Sequence, residues 1–303
     1  MNEPMTVLSS RARPHHSNVE WIDLPLDTAD TESYRDVTAD GIAHWAPLGI
    51  RGMTDRMAVI AEWVARERPR LFVVDVSVEV ALFVRLLGVD VVVMAMPGER
   101  RDEPHRLAYR LATSIIAPWS QAVYDPEWLH IHAAKTEYVG VVSRFDGRPR
   151  ESAVDAADVL VLGGAGGTSL TPTDIADAAR AVPGRRWSAA GIDEASWVAD
   201  VWPLLCSASI VVTHAGQNAI ADVAAARTRA VVIAQDRPFG EQRATASALA
   251  EAGVAVVTTS WPEPFEWRAL LDRATGLDID GWDAVRQSGA AERAAAALLA
   301  VAP

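Results

Sequence analysis

The sequence is short of the residues that build metal clusters, covalent cross-links and basic surfaces. It contains a single cysteine, Cys206, which excludes an intramolecular disulfide and a cysteine zinc cluster; lying on an apolar helix face, it reads as a core thiol. It contains a single lysine, Lys135, all its other basic residues being arginine, which is a compositional bias rather than a site. Acidic residues outnumber basic ones, 40 to 28, for a formal net charge of −12. That balance argues against a nucleic-acid partner, whose phosphates need a basic face. No apolar run reaches the roughly 20 residues that span a bilayer, and no charged segment with an apolar core opens the chain. The expectation is a cytoplasmic protein, with peripheral membrane contact left open. Internal repeats, low-complexity tracts and long charge runs are also missing.

What is present is a regular alternation of strand and helix. In the second half, apolar strands are expected at 159–162, 186–189, 210–212, 230–234 and 254–258, with helices at 172–181, 197–206, 218–226 and 241–252. Continuous apolar strands separated by helices indicate a parallel sheet covered on both faces, a Rossmann-like domain. The first half repeats this grammar more loosely, with strands at 6–9, 71–76, 89–94, 115–117 and 138–142 and helices at 53–67, 79–87 and 105–112. Asp146-Gly147-Arg148-Pro149-Arg150 is polar and rich in turn formers, and is the expected linker. The division is therefore residues 1–146 and residues 151–303, the latter including an Ala-rich terminal helix over 289–302. The class is α/β, two Rossmann-like domains facing across a cleft.

Two loops of the second half lie on one rim of its sheet. Gly163-Gly164-Ala165-Gly166-Gly167-Thr168 follows a strand and precedes a helix, so its amides and Thr168 are placed to meet a diphosphate, although the glycines lack the dinucleotide spacing and a ligand-free tight turn explains them equally well. Thr213-His214-Ala215-Gly216-Gln217-Asn218 closes a strand and opens a helix, with Asn218 as the expected N-cap. Such a helix start attracts anions, and Gly216 lets backbone approach the ligand. His214 either donates to a phosphate oxygen or holds the loop by bonding a carbonyl. Asp222, further along the helix, offers a carboxylate to the hydroxyls of a ribose or sugar, the alternative being a solvated helix acid.

The run Thr213-His214-Ala215-Gly216-Gln217-Asn218-Ala219-Ile220-Ala221-Asp222, followed by Pro238-Phe239-Gly240-Glu241-Gln242, resembles the donor-nucleotide signature of GT-B glycosyltransferases, in particular the C-terminal domain of glycosyltransferase family 28. The likeness extends over about 159–257. It implies that Asp222 binds the ribose of UDP and that Glu241 and Gln242 hold the donor sugar; the family usually has Glu at the position of Asp222, which shortens the reach. It implies a glycosyltransferase that moves a hexose-type sugar from a UDP-sugar or related donor to an unknown acceptor, with inversion; since the helix end at Gly216 and the 163–168 loop would themselves stabilise the leaving diphosphate, no metal or cofactor is expected. Members begin with a strand and a glycine-rich loop ahead of the one at 6–9, so a first βα unit is expected to be missing from the amino-terminal domain, and weak transfer with it. Hydrolysis of a nucleotide sugar and binding without turnover are the alternatives from other classes.

In the first half, Pro97-Gly98-Glu99-Arg100-Arg101-Asp102-Glu103-Pro104-His105 follows a strand and opens a helix at the expected cleft. Asp102 or His105 is placed to deprotonate an acceptor hydroxyl, against the plainer reading of a solvated loop. Asp75 is similarly poised but without a partner, and His15 and His16 read as surface residues. Asp278 and Asp280 have the spacing of a metal-binding acidic pair but lie outside the expected sheet, so no metal site is assigned. Arg237 and Arg243 read as surface arginines, and Thr168 and Ser169 double as candidate N-caps.

Overall fold

The computed structural model describes residues 3–14, 19–28, 33–151, 157–164, 167–168 and 170–301. The first half contains β1 (Thr6–Ser9), β2 (Glu20–Asp23), α1 (Arg51–Glu67), β3 (Leu71–Val74), α2 (Val78–Leu86), β4 (Asp90–Met94), α3 (Glu103–Leu111), β5 (Ser114–Ala117), α4 (Glu127–His130) and β6 (Thr136–Tyr138). The second contains β7 (Val159–Leu162), α5 (Pro172–Ala181), β8 (Trp187–Ala190), α6 (Trp202–Ser207), β9 (Ile210–His214), α7 (Gln217–Ala226), β10 (Arg229–Ile233), α8 (Glu241–Glu251), β11 (Ala255–Thr258), α9 (Trp267–Thr275), α10 (Trp282–Arg286) and α11 (Ala290–Val301).

Every pairing is parallel. The first half forms a sheet in the order β3-β4-β5-β6, and β1 pairs only with β2, beside it. The second half forms the order β11-β10-β9-β7-β8. β4 and β9 are continuous apolar runs because both faces of each sheet are covered by helices, leaving Val91, Val92, Val211 and Val212 fully buried. In the second sheet the chain steps from β7 out to β8 and then returns to the other side of β7 as β9. The crevice at the carboxyl ends of β7 and β9 is therefore the topological switch point, where open parallel sheets bind ligands.

The two Rossmann-like units expected from the alternation are present, with differences that have physical causes. β2, Glu-Trp-Ile-Asp, is too short to show a period and was not anticipated; Leu8, Ile22 and Leu24 seat the β1–β2 pair on the first core without joining its sheet. The strand expected over 138–142 ends at Tyr138, where the chain turns away through Gly140 at φ +82°. The helix expected from 197 begins at Trp202, because Asp193 and Ser196 close a turn on each other's amides. α7 starts at Gln217 with Gly216 as its N-cap, not Asn218, and the N-cap of α5 is Thr171, which forms a capping box with Asp174, not Thr168. Ser169 lies outside the described residues, as do His15 and His16.

The terminal helix packs on the sheet of the other half. Ala294, Ala297, Leu298 and Val301 of α11 pack on Val92, Ile116 and Val139 of the first half, and the Arg293 guanidinium donates to the Val139 carbonyl from Nε (3.0 Å) and Nη2 (2.7 Å). The expected linker is itself anchored to the second half: Arg148 pairs with Asp200 and Glu151, and Arg150 donates to the carbonyls of Cys206 and Ala226. Two crossings of the chain thus connect the units.

Candidate active site

On the second sheet, the site is built from the loops after β7, β9 and β10. Thr168 and His214 lie on either side of the switch point and bond to each other, Thr168 Oγ1 to His214 Nε2 at 3.0 Å. His214 Nδ1 faces the Ile233 carbonyl at 3.4 Å; a carbonyl only accepts, so Nδ1 carries the proton and Nε2 accepts from Thr168. Burial pushes the His214 imidazole below its ordinary value, so it is neutral. His214 thus faces a carbonyl in the manner that one of its two expected roles requires. Gly163 is glycine for packing: a Cβ there would lie 2.0 Å from the Gly191 carbonyl oxygen. Gly164 faces open space, Gly167 adopts φ +82°, and Gly166 lies outside the described residues.

Gly216 opens α7 into the cleft, beside Gln217 and Asn218, with Ala215 buried behind it. Gln242 is buried at the start of α8, where its Oε1 accepts from the Gln235 amide at 3.0 Å. Asp222 is not an open carboxylate. Its Oδ1 accepts from Ser143 Oγ at 3.2 Å, and its Oδ2 from Arg144 Nε and Nη2 at 3.2 and 2.9 Å. Burial raises its pKa, opposed by Arg144 and Ser143.

The first sheet contributes the carboxyl ends of β3 and β4. β4 runs into the 95–102 loop, and Asp102 is the N-cap of α3, its Oδ1 accepting from the His105 amide at 3.2 Å. Asp102 is held between two imidazoles: His105 Nδ1 lies 2.6 Å from Oδ2 and His44 Nε2 lies 2.7 Å from Oδ1. Burial would raise the Asp102 pKa, but the hydrogen bonds from His105 and His44 outweigh it and hold the carboxyl below its ordinary value. Asp102 is therefore charged and each histidine donates to it. His105 is buried, its pKa lowered by that burial, and its other nitrogen, Nε2, is 3.3 Å from Arg100 Nη1. His44 lines the cleft, and its Nδ1 makes no hydrogen bond among the described residues.

His44 was not legible in the sequence, because it sits in a turn-rich stretch without periodicity. It is positioned by α2: Glu79 Oε1 accepts from the amides of His44 (2.7 Å) and Trp45 (3.0 Å), while Glu79 Oε2 accepts from Ser77, the N-cap of α2. The ligand atoms of His44, Asp102 and His105 lie within 4.8 Å of one another, a donor set that fits a divalent cation as well as a proton relay. Asp278 and Asp280, by contrast, are spent locally: Asp278 accepts from the Asp280 amide and Asp280 pairs with Arg227 at 2.5 Å.

The two halves meet directly across this site. The Glu99 amide donates to the Phe239 carbonyl at 2.8 Å. Phe239, at φ +60°, places its ring against His44, His105 and Arg100. Arg100, nearly fully buried, bonds the Pro97 carbonyl and reaches Glu241 Oε2 at 3.6 Å. Burial raises the Glu241 carboxyl, against the attraction of Arg100 and Arg237. Between the walls is a cavity of about 500 Å³ that includes His44, His105, Gly216, Arg237, Glu241 and Gln242. Asp75 and Arg243 do not line it, and Arg243 pairs with Asp236.

Two parallel α/β halves closing on a cleft, with loops gathered at a switch point, define a protein of the GT-B glycosyltransferase fold. Residues 191–260 match the model of the glycosyltransferase family 28 C-terminal domain. Among solved structures, the chain is similar to Arabidopsis thaliana UGT89C1 complexed with UDP (TM-score 0.64, 12% identity, covering 98% of this chain and 92% of that one). It is also similar to the glycotransferase of kitacinnamycin (0.62, 15%, 94% and 87%) and to Acinetobacter baumannii MurG (0.56, 14%, 93% and 85%). At these identities the likeness is one of fold. No curated protein sequence matches the chain.

Proposed function

We propose that the chain is a glycosyltransferase that moves a sugar from a UDP-sugar to a hydroxyl of its acceptor in one inverting displacement. The observation that carries this reading is the His44–Asp102 pair, 2.7 Å apart, facing the start of α7 across the cleft. With Nε2–H committed to Asp102, His44 has Nδ1 free to take the acceptor proton. Asp102 keeps the imidazole in that tautomer and stabilises the cation that forms, as in other acid–histidine pairs. The acceptor oxygen bonds to the anomeric carbon as the bond to the diphosphate breaks. Negative charge then grows on the leaving group, where the amides and dipole of α7 at Gly216 can stabilise it. Glu241 and Gln242 are assigned to the sugar, Asp222 to the ribose, and His105 to orienting Asp102. The match to the family 28 domain and the UDP held by the Arabidopsis protein support UDP as the nucleotide.

The test is turnover of UDP-sugars against a panel of hydroxyl acceptors. His44→Ala should lower kcat by about 10²–10⁴, the usual contribution of a positioned base, with UDP affinity retained. Asp102→Asn should do the same. Donor consumption at equal rates without any acceptor would mean hydrolysis instead. Since the helix start already faces the diphosphate, EDTA should leave most activity intact; full loss restored by a divalent cation would place a metal on His44, Asp102 and His105.

A further inference from the structure

A second cavity, of about 650 Å³, opens on the far side of α3, between that helix and α4. It includes Arg101, Arg106, Arg110, Trp128, Ile131 and His132, and it shares Arg100 and Tyr109 with the reaction cleft. Two of its arginines are committed. Arg100 is held by Pro97, His105 and Glu241, and Arg101 pairs with Glu127 at 2.6 Å. Arg106 and Arg110 are exposed and form no ion pair among the described residues. They are four apart on one helix, so two like charges share a face, an arrangement that costs stability in the absence of an anion. Glu103 and Glu127 also line the groove, but its arginines outnumber them, so it is positive on a chain of net charge −12, a local reversal of sign. His132, which also lines the groove, has its pKa lowered by burial first, then by Lys135 outside the groove and by Arg110 within it.

The groove also has an apolar wall. Trp128 is half-buried and stacks on Tyr109, with ring centroids 5.1 Å apart and planes within 17° of parallel, and its Nε1 donates to the Gly98 carbonyl at 2.8 Å. Ile131 beside it is 84% exposed. Planar guanidinium groups recognise carboxylate and phosphate by paired hydrogen bonds, while an indole and an aliphatic side chain accept a flat ring.

We propose that the groove between α3 and α4 is a binding site for a small acidic molecule bearing a flat ring, its anionic group held by Arg106 and Arg110 and its ring by Trp128 and Ile131. The site stands whether or not the chain transfers sugar, because it is read out by binding alone. The probe is 1-naphthyl phosphate, titrated calorimetrically into the full chain, with 1-naphthol and inorganic phosphate as partial ligands. The expected result is binding at least ~10-fold tighter than either partial ligand, weakened at least ~10-fold in the double variant Arg106→Gln/Arg110→Gln and by raised salt. Both arginines are at the surface, so the variant should keep its circular dichroism and melting behaviour. The double variant Arg106→Lys/Arg110→Lys should recover part of the affinity through charge alone. Equal binding by parent and Gln variant, or displacement of the probe by UDP, would overturn the proposal. So would arginine-dependent sedimentation with phosphatidylglycerol vesicles without binding of the probe, since the basic face would then serve a membrane.

Discussion

Asp222, the residue proposed to bind the ribose, is also a fastener in the folded chain. Its oxygens are taken by Ser143 and Arg144, which ties the end of the first unit to α7. The two partners are not equivalent. Arg144 is 65% exposed at its side chain while Asp222 is 9%, so solvent screens the pair from the arginine side only. On the transfer reading, Asp222→Ala should reduce the UDP-induced rise in melting temperature while Arg144→Ala preserves it. Loss of the rise in Arg144→Ala would turn the assignment round. Without UDP, Asp222→Ala should cost about 1–3 kcal/mol in urea unfolding, because it leaves a buried hydroxyl short of a partner.

At the level of elements, the 97–101 loop decides how the halves fit. Gly98 has φ +96°, and a Cβ there would meet the Phe239 carbonyl oxygen at 2.4 Å and the Glu241 Cα at 3.0 Å. Both obstacles are backbone, so neither can swing aside. Gly98→Ala should therefore push the 238–241 segment away from Arg100 and His44. A displacement of about 1 Å at a reacting centre is enough to lower turnover about 10²-fold, and the left-handed φ adds about 1–2 kcal/mol of strain. Unchanged kcat in Gly98→Ala would show that this contact does not set the catalytic geometry. α11 works at the same level: it leaves the second unit and covers Val92, Ile116 and Val139 of the first, so the first unit's core is completed by the second.

For the whole molecule, the buried histidines set the response to acid. Burial lowers the pKa of His105 and of His214 in the folded state. The unfolded chain takes up their protons near the ordinary value of about 6.5, where the folded chain does not. Their contribution is thus fully present above that pH and is lost as pH falls from there toward the depressed folded values. The melting temperature should drop between pH 7.5 and 5.5, and the drop should shrink in His214→Gln. A melting temperature that is flat or rises over this range in the parent would contradict the buried, neutral assignment.

Much of this molecule is written locally. The apolar runs at 159–162 and 210–212 and the turn at Thr213 to Gly216 specify parallel strands and a helix start without reference to anything distant, because period, propensity and backbone freedom act over a few residues, although the caps themselves fall at Thr171 and Gly216. Asp102 and His105 were legible for the same reason, as polar groups opening a helix after a strand. The rest was decided by tertiary contact. His44 became a partner of Asp102 only because Glu79, on another helix, holds its loop. Asp222 acquired Ser143 and Arg144, and α11 its place on the first sheet, through contacts spanning more than 70 residues. Such pairings depend on how two sheets and their helices pack in space, and no short-range pattern encodes that.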